Sequence, residues 1–141
     1  TNKTRGSIVN ISSCAAKGGA PFIMAYSVSK AGLNALTKAN AAELKPYGIR
    51  VNSLDMGWCV TDAESDMRVA ATGDEKWFEK ADQTMPMGRI LRPVDAACAV
   101  GFLVSDASMM MTGTCLDLHP ELIHGMFSES ALDNQVHDDD D

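Results

Sequence analysis

Two short runs rich in β-branched residues, 7–13 (SIVNISS) and 49–56 (IRVNSLDM), lie 35 residues apart, and a single helical stretch fills most of the gap. This interval constrains the fold more than any other feature. Strands so separated, with a helix between them, are joined by a crossover and lie parallel, whereas a hairpin needs only a few residues. Ile8, Val9 and Ile11 suit a strand, and Gly6 precedes them. The helical stretch spans 25–45, where Pro46 and Gly48 end it. The second strand runs into Gly57, and residues 58–89 are a polar excursion with one weak amphipathic helix near 75–82. Pro93 suits the first position of a further helix, whose Val94, Ala97, Cys98, Gly101 and Phe102 form an apolar stripe for the core. Residues 114–118 (TCLDL) close the series as a last strand. Strand, helix, strand, excursion, helix, strand is the order of the α/β class: a parallel sheet with helices on its faces. Ligands of such sheets bind beyond the carboxyl ends of the strands. Ser13, Gly57 and His119 all stand just past strand ends, so their loops are expected to meet at one site.

Composition narrows the partners. The chain has 141 residues, 45% hydrophobic and 22% charged, as an ordinary globular protein does. Its net charge of −7 argues against nucleic acid and anionic membrane surfaces. Part of that charge is the aspartate run at 138–141, in a tail from 119 onward whose acidic end is expected to be disordered. Cys14, Cys59, Cys98 and Cys115 are scattered without a Cys-x-x-Cys pair, which suits reduced thiols in a cytoplasmic protein. The three histidines, His119, His124 and His137, make no ligand pattern, so no metal site is expected. Neither a membrane-spanning run nor a signal-peptide pattern is present.

The residues that carry chemistry cluster around the first crossover. Tyr26 and Lys30 are an i, i+4 pair, so on a helix both rise from one face. A free phenol, with pKa about 10, is a poor base near neutrality, and an adjacent ammonium favours its phenolate form. The pair is therefore suited to general acid–base work. Ser13 ends the first strand thirteen residues before Tyr26, and its hydroxyl can donate to a substrate oxygen. Ser12 is one residue too far and is expected to be a strand-end hydrogen bonder.

Together these features resemble the short-chain dehydrogenase/reductase family. The resemblance rests on Ser13, Tyr-x-x-x-Lys at 26–30, the strand "IRVNS", the Gly57–Thr61 spacing and the closing "MTGTCLDL", and it covers residues 6–118. It implies a Rossmann-like, doubly wound parallel sheet and a nicotinamide-dependent oxidoreductase with NAD or NADP as cofactor. Ser13, Tyr26 and Lys30 would be its catalytic serine, tyrosine and lysine. Tyr26, Lys30, Gly57, Cys59 and Thr61 would meet the nicotinamide end of the cofactor, with Lys30 on the ribose. The substrate would be a small secondary alcohol or carbonyl compound. The Gly-Trp at 57–58 is similar to a sub-group acting on sugars or polyols. The family's helix bearing the tyrosine packs against its copy in another subunit. Gly32, Ala35, Ala39 and Ala42 give this helix the small-residue strip such a homodimer or homotetramer needs.

Several departures stand out. Met56 replaces the family's proline before Gly57, and Asp55 before it is unusual. No Gly-x-x-x-Gly-x-Gly turn for the cofactor pyrophosphate occurs, nor do the residue that selects NAD or NADP and the family's catalytic asparagine. The expectation is therefore the C-terminal, catalytic half of the domain (1–118), with 58–89 capping the substrate and the N-terminal cofactor-binding half absent. The alternative is a truncated, inactive fragment that serves only as a binding or structural partner. Trp58, Met67, Trp77 and Phe78 are expected to pack the capping excursion onto the body. The run Met109, Met110, Met111 is expected to fill a helix end, and His119 and His124 to face solvent.

Overall fold

A computed structural model describes residues 5–18 and 21–119. The expected elements form, in the expected order. Strands β1 (Gly6–Ser13), β2 (Ile49–Met56) and β3 (Cys115–Leu118) make one parallel sheet in the order β1-β2-β3. Helix α1 (Met24–Leu44) crosses from β1 to β2. Helices α2 (Asp62–Thr72), α3 (Trp77–Thr84) and α4 (Pro93–Val104) lie between β2 and β3. A turn of 3-10 helix at Lys45–Tyr47 follows α1, and Gly48 at φ 75° makes the left-handed step into β2 that a side chain would resist.

Side-chain direction shows that the two long helices lie on opposite faces. Registered partners in a parallel sheet point the same way, and neighbours along a strand point oppositely. Asn10 and Ser12 of β1, with their partners Ser53 and Asp55 of β2, turn to α1: Asn10 donates to Thr37, Ser12 to the Lys30 carbonyl and Ser53 to Asn34. Ser7 and its partner Arg50 turn the other way. Ser7 donates to the Leu103 carbonyl, and Arg50 to the carbonyls of Ser105 and Met111 just beyond α4. Helices on both faces make the sheet doubly wound. Val51 to Asp55 of the central strand are all buried, and its polar members Asn52, Ser53 and Asp55 each have bonded partners.

The excursion holds two helices where the sequence suggests one. Asp62–Thr72 lacks an apolar stripe and buries no residue, so periodicity does not reveal it. Its ends do: the Thr61 hydroxyl accepts from the Glu64 amide, and Gly73 at φ 69° closes the last turn onto the Val69 carbonyl. Trp77, Ala81 and Ile90 form a small core of their own, with Trp58, Val60, Val69, Phe78 and Met85 against it. The aromatic rings thus pack within the excursion, while Met67 is exposed.

Two packing expectations are corrected. The α4 stripe Val94, Ala97, Cys98, Gly101, Phe102 is exposed, and the opposite side sends Leu103 into the core. The helix is apolar nearly all round, so its pattern cannot tell which side faces the sheet. Met109 and Met110 are exposed as well, and Met111 contributes its backbone carbonyl to Arg50 and Asn52. The tail from Pro120 onward, with His124, His137 and the aspartate run, lies outside the described residues.

Candidate active site

The strand ends expected to converge do so in register. Ser13 pairs with Met56, and Met56 with Leu118, so one row across the sheet leads into the Ser13, Gly57 and His119 loops. The Gly57 amide bonds to the Leu118 carbonyl at 2.9 Å, which fixes that corner. The His119 side chain is buried there, 5% exposed, with Nε2 at 3.4 Å from Asp117 Oδ1. Its place beside the Gly57 turn overturns the expectation of an exposed histidine. Asp117 also pairs with Lys17, from the turn of 3-10 helix that follows Ser13.

Ser13 is held in one role and left available for another. Its side chain caps the turn at Cys14–Lys17 by accepting from the Ala15 amide at 3.1 Å. A hydroxyl that accepts one bond still has its single hydrogen to give. Helix α1 is tied to the same end of β1 through Lys30. The Ser12 hydroxyl donates to the Lys30 carbonyl at 3.3 Å, and Lys30 Nζ donates to the Ile11 carbonyl at 3.0 Å. Tyr26 lies one turn nearer the helix start, about 6 Å along the axis at the usual rise of an α-helix. Its ring centroid is 5.5 Å from Lys30 Nζ, and the residue is 46% exposed, so the phenol is accessible.

The loop after β2 begins with Gly57. Cys59 is buried and forms a short parallel bridge with Leu91, made by the Trp58 carbonyl and the Val60 amide. Alternation along extended backbone turns the amide and carbonyl of Cys59 itself to the other side. Burial pushes the Cys59 thiol above its ordinary pKa, and Asp95 adds to the effect, so the sulfur is a poor nucleophile. Thr61 accepts from Glu64 and, like Ser13, keeps its hydrogen. Helix α2 is tied to the loop through Trp58. Arg68 stands over the rings of Trp58 and Trp77 at 5.0 and 5.9 Å, and Glu64 receives both the Trp58 indole N–H and Arg68 Nε.

Residues 1–118 match the family model described as enoyl-(acyl carrier protein) reductase. The chain belongs to the short-chain dehydrogenase/reductase family. Among this family's members, the human (3R)-3-hydroxyacyl-CoA dehydrogenase is 37% identical over 118 residues, covering 84% of this chain and 43% of that protein. A xylitol dehydrogenase structure with bound NAD+ superposes at TM-score 0.66 with 30% identity, covering 81% of this chain and 48% of the other. An actinorhodin polyketide ketoreductase variant with NADPH does so at 0.71 with 30% identity, covering 82% and 46%. The chain thus spans less than half the length of each of these three relatives. No described helix is long and apolar enough to cross a membrane.

Proposed function

We propose that this chain carries the acid–base and nicotinamide-side half of an NAD- or NADP-dependent oxidoreductase acting on a secondary alcohol or its carbonyl. The main support is the arrangement at one end of the sheet: a Ser13 hydroxyl with its hydrogen free, beside a helix presenting an accessible Tyr26 next to Lys30. The residues present fit part of the cofactor. Lys30 would hold the nicotinamide ribose. Gly57, the outward backbone of Cys59 and the Thr61 hydroxyl would meet the carboxamide. Nothing in this sequence fits the pyrophosphate, since no glycine-rich turn occurs in it.

A bound nicotinamide supplies or takes up the hydride. In the reductive direction Tyr26 gives its hydroxyl proton to the carbonyl oxygen as charge develops there, and Ser13 donates a hydrogen bond to that oxygen. The Lys30 ammonium offsets the negative charge left on the phenol oxygen. Oxidation of the alcohol runs the same transfers backwards. Sugars and polyols fit this scheme, in line with the xylitol dehydrogenase relative, and hydroxyacyl thioesters fit it equally, in line with the hydroxyacyl-CoA dehydrogenase. A panel of polyols, sugars and hydroxyacyl thioesters assayed with the full-length protein distinguishes the classes.

The test of the reading is Tyr26→Phe in the full-length protein. Turnover should fall by at least about a hundredfold, the scale of a lost general acid, with cofactor affinity kept. Near-normal turnover would refute the mechanism. Gly32, Ala35, Ala39 and Ala42 are all exposed along α1, which supports a close helix–helix contact between two copies. Ala35→Trp should then shift the sedimenting species to a smaller one, and an unmodified protein that sediments as a monomer would contradict it.

A further inference from the structure

The side of α1 that faces the sheet carries a row of polar residues ahead of the buried Ala41. Lys30, Asn34 and Thr37 follow one another along it, bonded respectively to β1, to β2 and to Asn10 of β1. Apolar burial alone lets a helix slide or rotate a little on a sheet, because it is non-directional. Hydrogen bonds fix both height and rotation, because their geometry is narrow. The rung at Asn34, one turn past Lys30, is the one that closes into a ring of contacts. Asn34 Nδ2 donates to Asp55 Oδ2 at 2.8 Å, while Ser53 Oγ lies 2.8 Å from Asn34 Oδ1 and 2.9 Å from Asp55 Oδ1. Asp55 is 1% exposed and Ser53 fully buried. A carboxyl so deeply buried is retained at a penalty unless its bonds are made. Asp55 also stands two residues before Gly57, so the ring joins the acid–base helix to the strand that delivers the nicotinamide-side loop.

We propose that Asp55 is a positioning residue. Through Asn34 and Ser53 it sets the height and rotation of α1 on β2, so that Tyr26 and Lys30 meet Ser13 and the Gly57 loop at a fixed spacing. The proposal rests on the function proposed above for the roles of Tyr26 and Lys30, but the placement of α1 can be read without turnover. Aspartate is not uniquely suited to the ring, since Ser53 has one hydrogen for two acceptors. An asparagine at 55 would accept from Asn34 and donate to Ser53, whose own hydrogen would then go to Asn34. All three contacts survive.

The experiment compares Asp55→Ala, Asp55→Asn and Asn34→Ala in the full-length protein, with two measurements on each. One is kcat; the other is the ring NMR signal of Tyr26, assigned by its loss in Tyr26→Phe. Asp55→Ala and Asn34→Ala should lower kcat about tenfold or more, as small misplacements of catalytic groups do, and both should shift the Tyr26 signal. Asp55→Asn should leave kcat within about twofold and the signal in place. The double variant Asn34→Ala/Asp55→Ala should be no worse than the poorer single one, because both break the same ring. Should Asp55→Ala fail to fold, Asn34→Ala against Asp55→Asn gives the same comparison at a half-buried position. An unmoved Tyr26 signal in the folded Ala variants would overturn the proposal, as would Asp55→Asn behaving like Asp55→Ala. If the unmodified protein turns over no substrate, the proposed function fails, and the Tyr26 signal still decides the role of Asp55.

Discussion

Lys30 Nζ donates to the Ile11 carbonyl while standing 5.5 Å from the Tyr26 ring, so the ammonium is fixed to the strand rather than carried freely by the helix. A lysine on a flexible stem would otherwise spread over many rotamers at an entropy cost. Held this way, it has hydrogens left over for a ribose and a charge near the phenol. Lys30→Ala should therefore reduce both turnover and affinity for NAD(P), by more in turnover. Steady-state kinetics alongside cofactor fluorescence titration would separate the two. A variant that binds cofactor normally and turns over normally would remove Lys30 from the site.

Ser13 faces a different test, because its side chain is also a cap. Ser13→Ala should cost about 10²–10³ in kcat, the scale of one lost oxyanion-type donor. The lost cap at Ala15 should lower stability by about 0.5–2 kcal/mol. Ser13→Gly keeps the cap loss small, since glycine caps nearly as well, so its thermal midpoint should lie closer to the parent's while kcat stays low. Recovery of kcat in Ser13→Gly would mean that the serine acts only through the turn it caps.

What was legible in the sequence divides along physical lines. The strands, α1 and the row of Ser13, Gly57 and His119 follow from β-branched runs, from breakers at Pro46 and Gly48, and from spacing, all of which are local signals. Which side of α4 meets the sheet was not legible, because Val94 and Phe102 are as apolar as Leu103. Helix α2 had a readable start in Thr61-x-x-Glu64, a capping pattern that outweighs its missing stripe. The bond that joins the Gly57 turn to Leu118, just before His119, is a long-range contact that no window of sequence contains. The bond ring at Asp55 is likewise tertiary. The sequence shows an unusual aspartate, and only packing shows that Asn34 and Ser53 surround it.

The base of the excursion should be sensitive to acid. Arg89 grips Asp95 with two bonds of 2.6 and 2.9 Å, and the Arg92 amide adds a third at 2.7 Å. These hold the Asp95 carboxyl down from 3.8 to about 2, the bond to Arg89 contributing most. A carboxyl depressed on folding adds stability above its unfolded pKa and loses it as pH falls through the folded one. The window is therefore from about pH 4 down to about 2. Asp95→Asn should lower the thermal midpoint at pH 7, and the gap to the unmodified protein should close on acidification across that window. Arg89 is half exposed, so solvent screening keeps the gap modest. An equal gap at pH 7 and pH 2.5 would assign the effect to packing rather than charge.

The last prediction concerns the 141-residue polypeptide by itself. Among the described residues β1 pairs only with β2, so its other edge offers a row of backbone donors and acceptors. Ile8 on one face and Ile11 on the other are 43% and 46% exposed beside that edge. An open apolar parallel edge recruits further strands, and unpaired backbone groups gain by pairing. The expected behaviour is concentration-dependent self-association, and Ile8→Lys with Ile11→Lys should suppress it by placing charge on both faces. Cofactor binding should also be too weak to saturate at micromolar concentration. This sequence offers Lys30, Gly57, Cys59 and Thr61 to one end of a dinucleotide and no glycine-rich turn to its phosphates. Light scattering and titration with NADH and NADPH on the same purified sample measure both properties. A monodisperse monomer with saturable micromolar binding would show that the three-stranded sheet is sufficient for both stability and cofactor recognition.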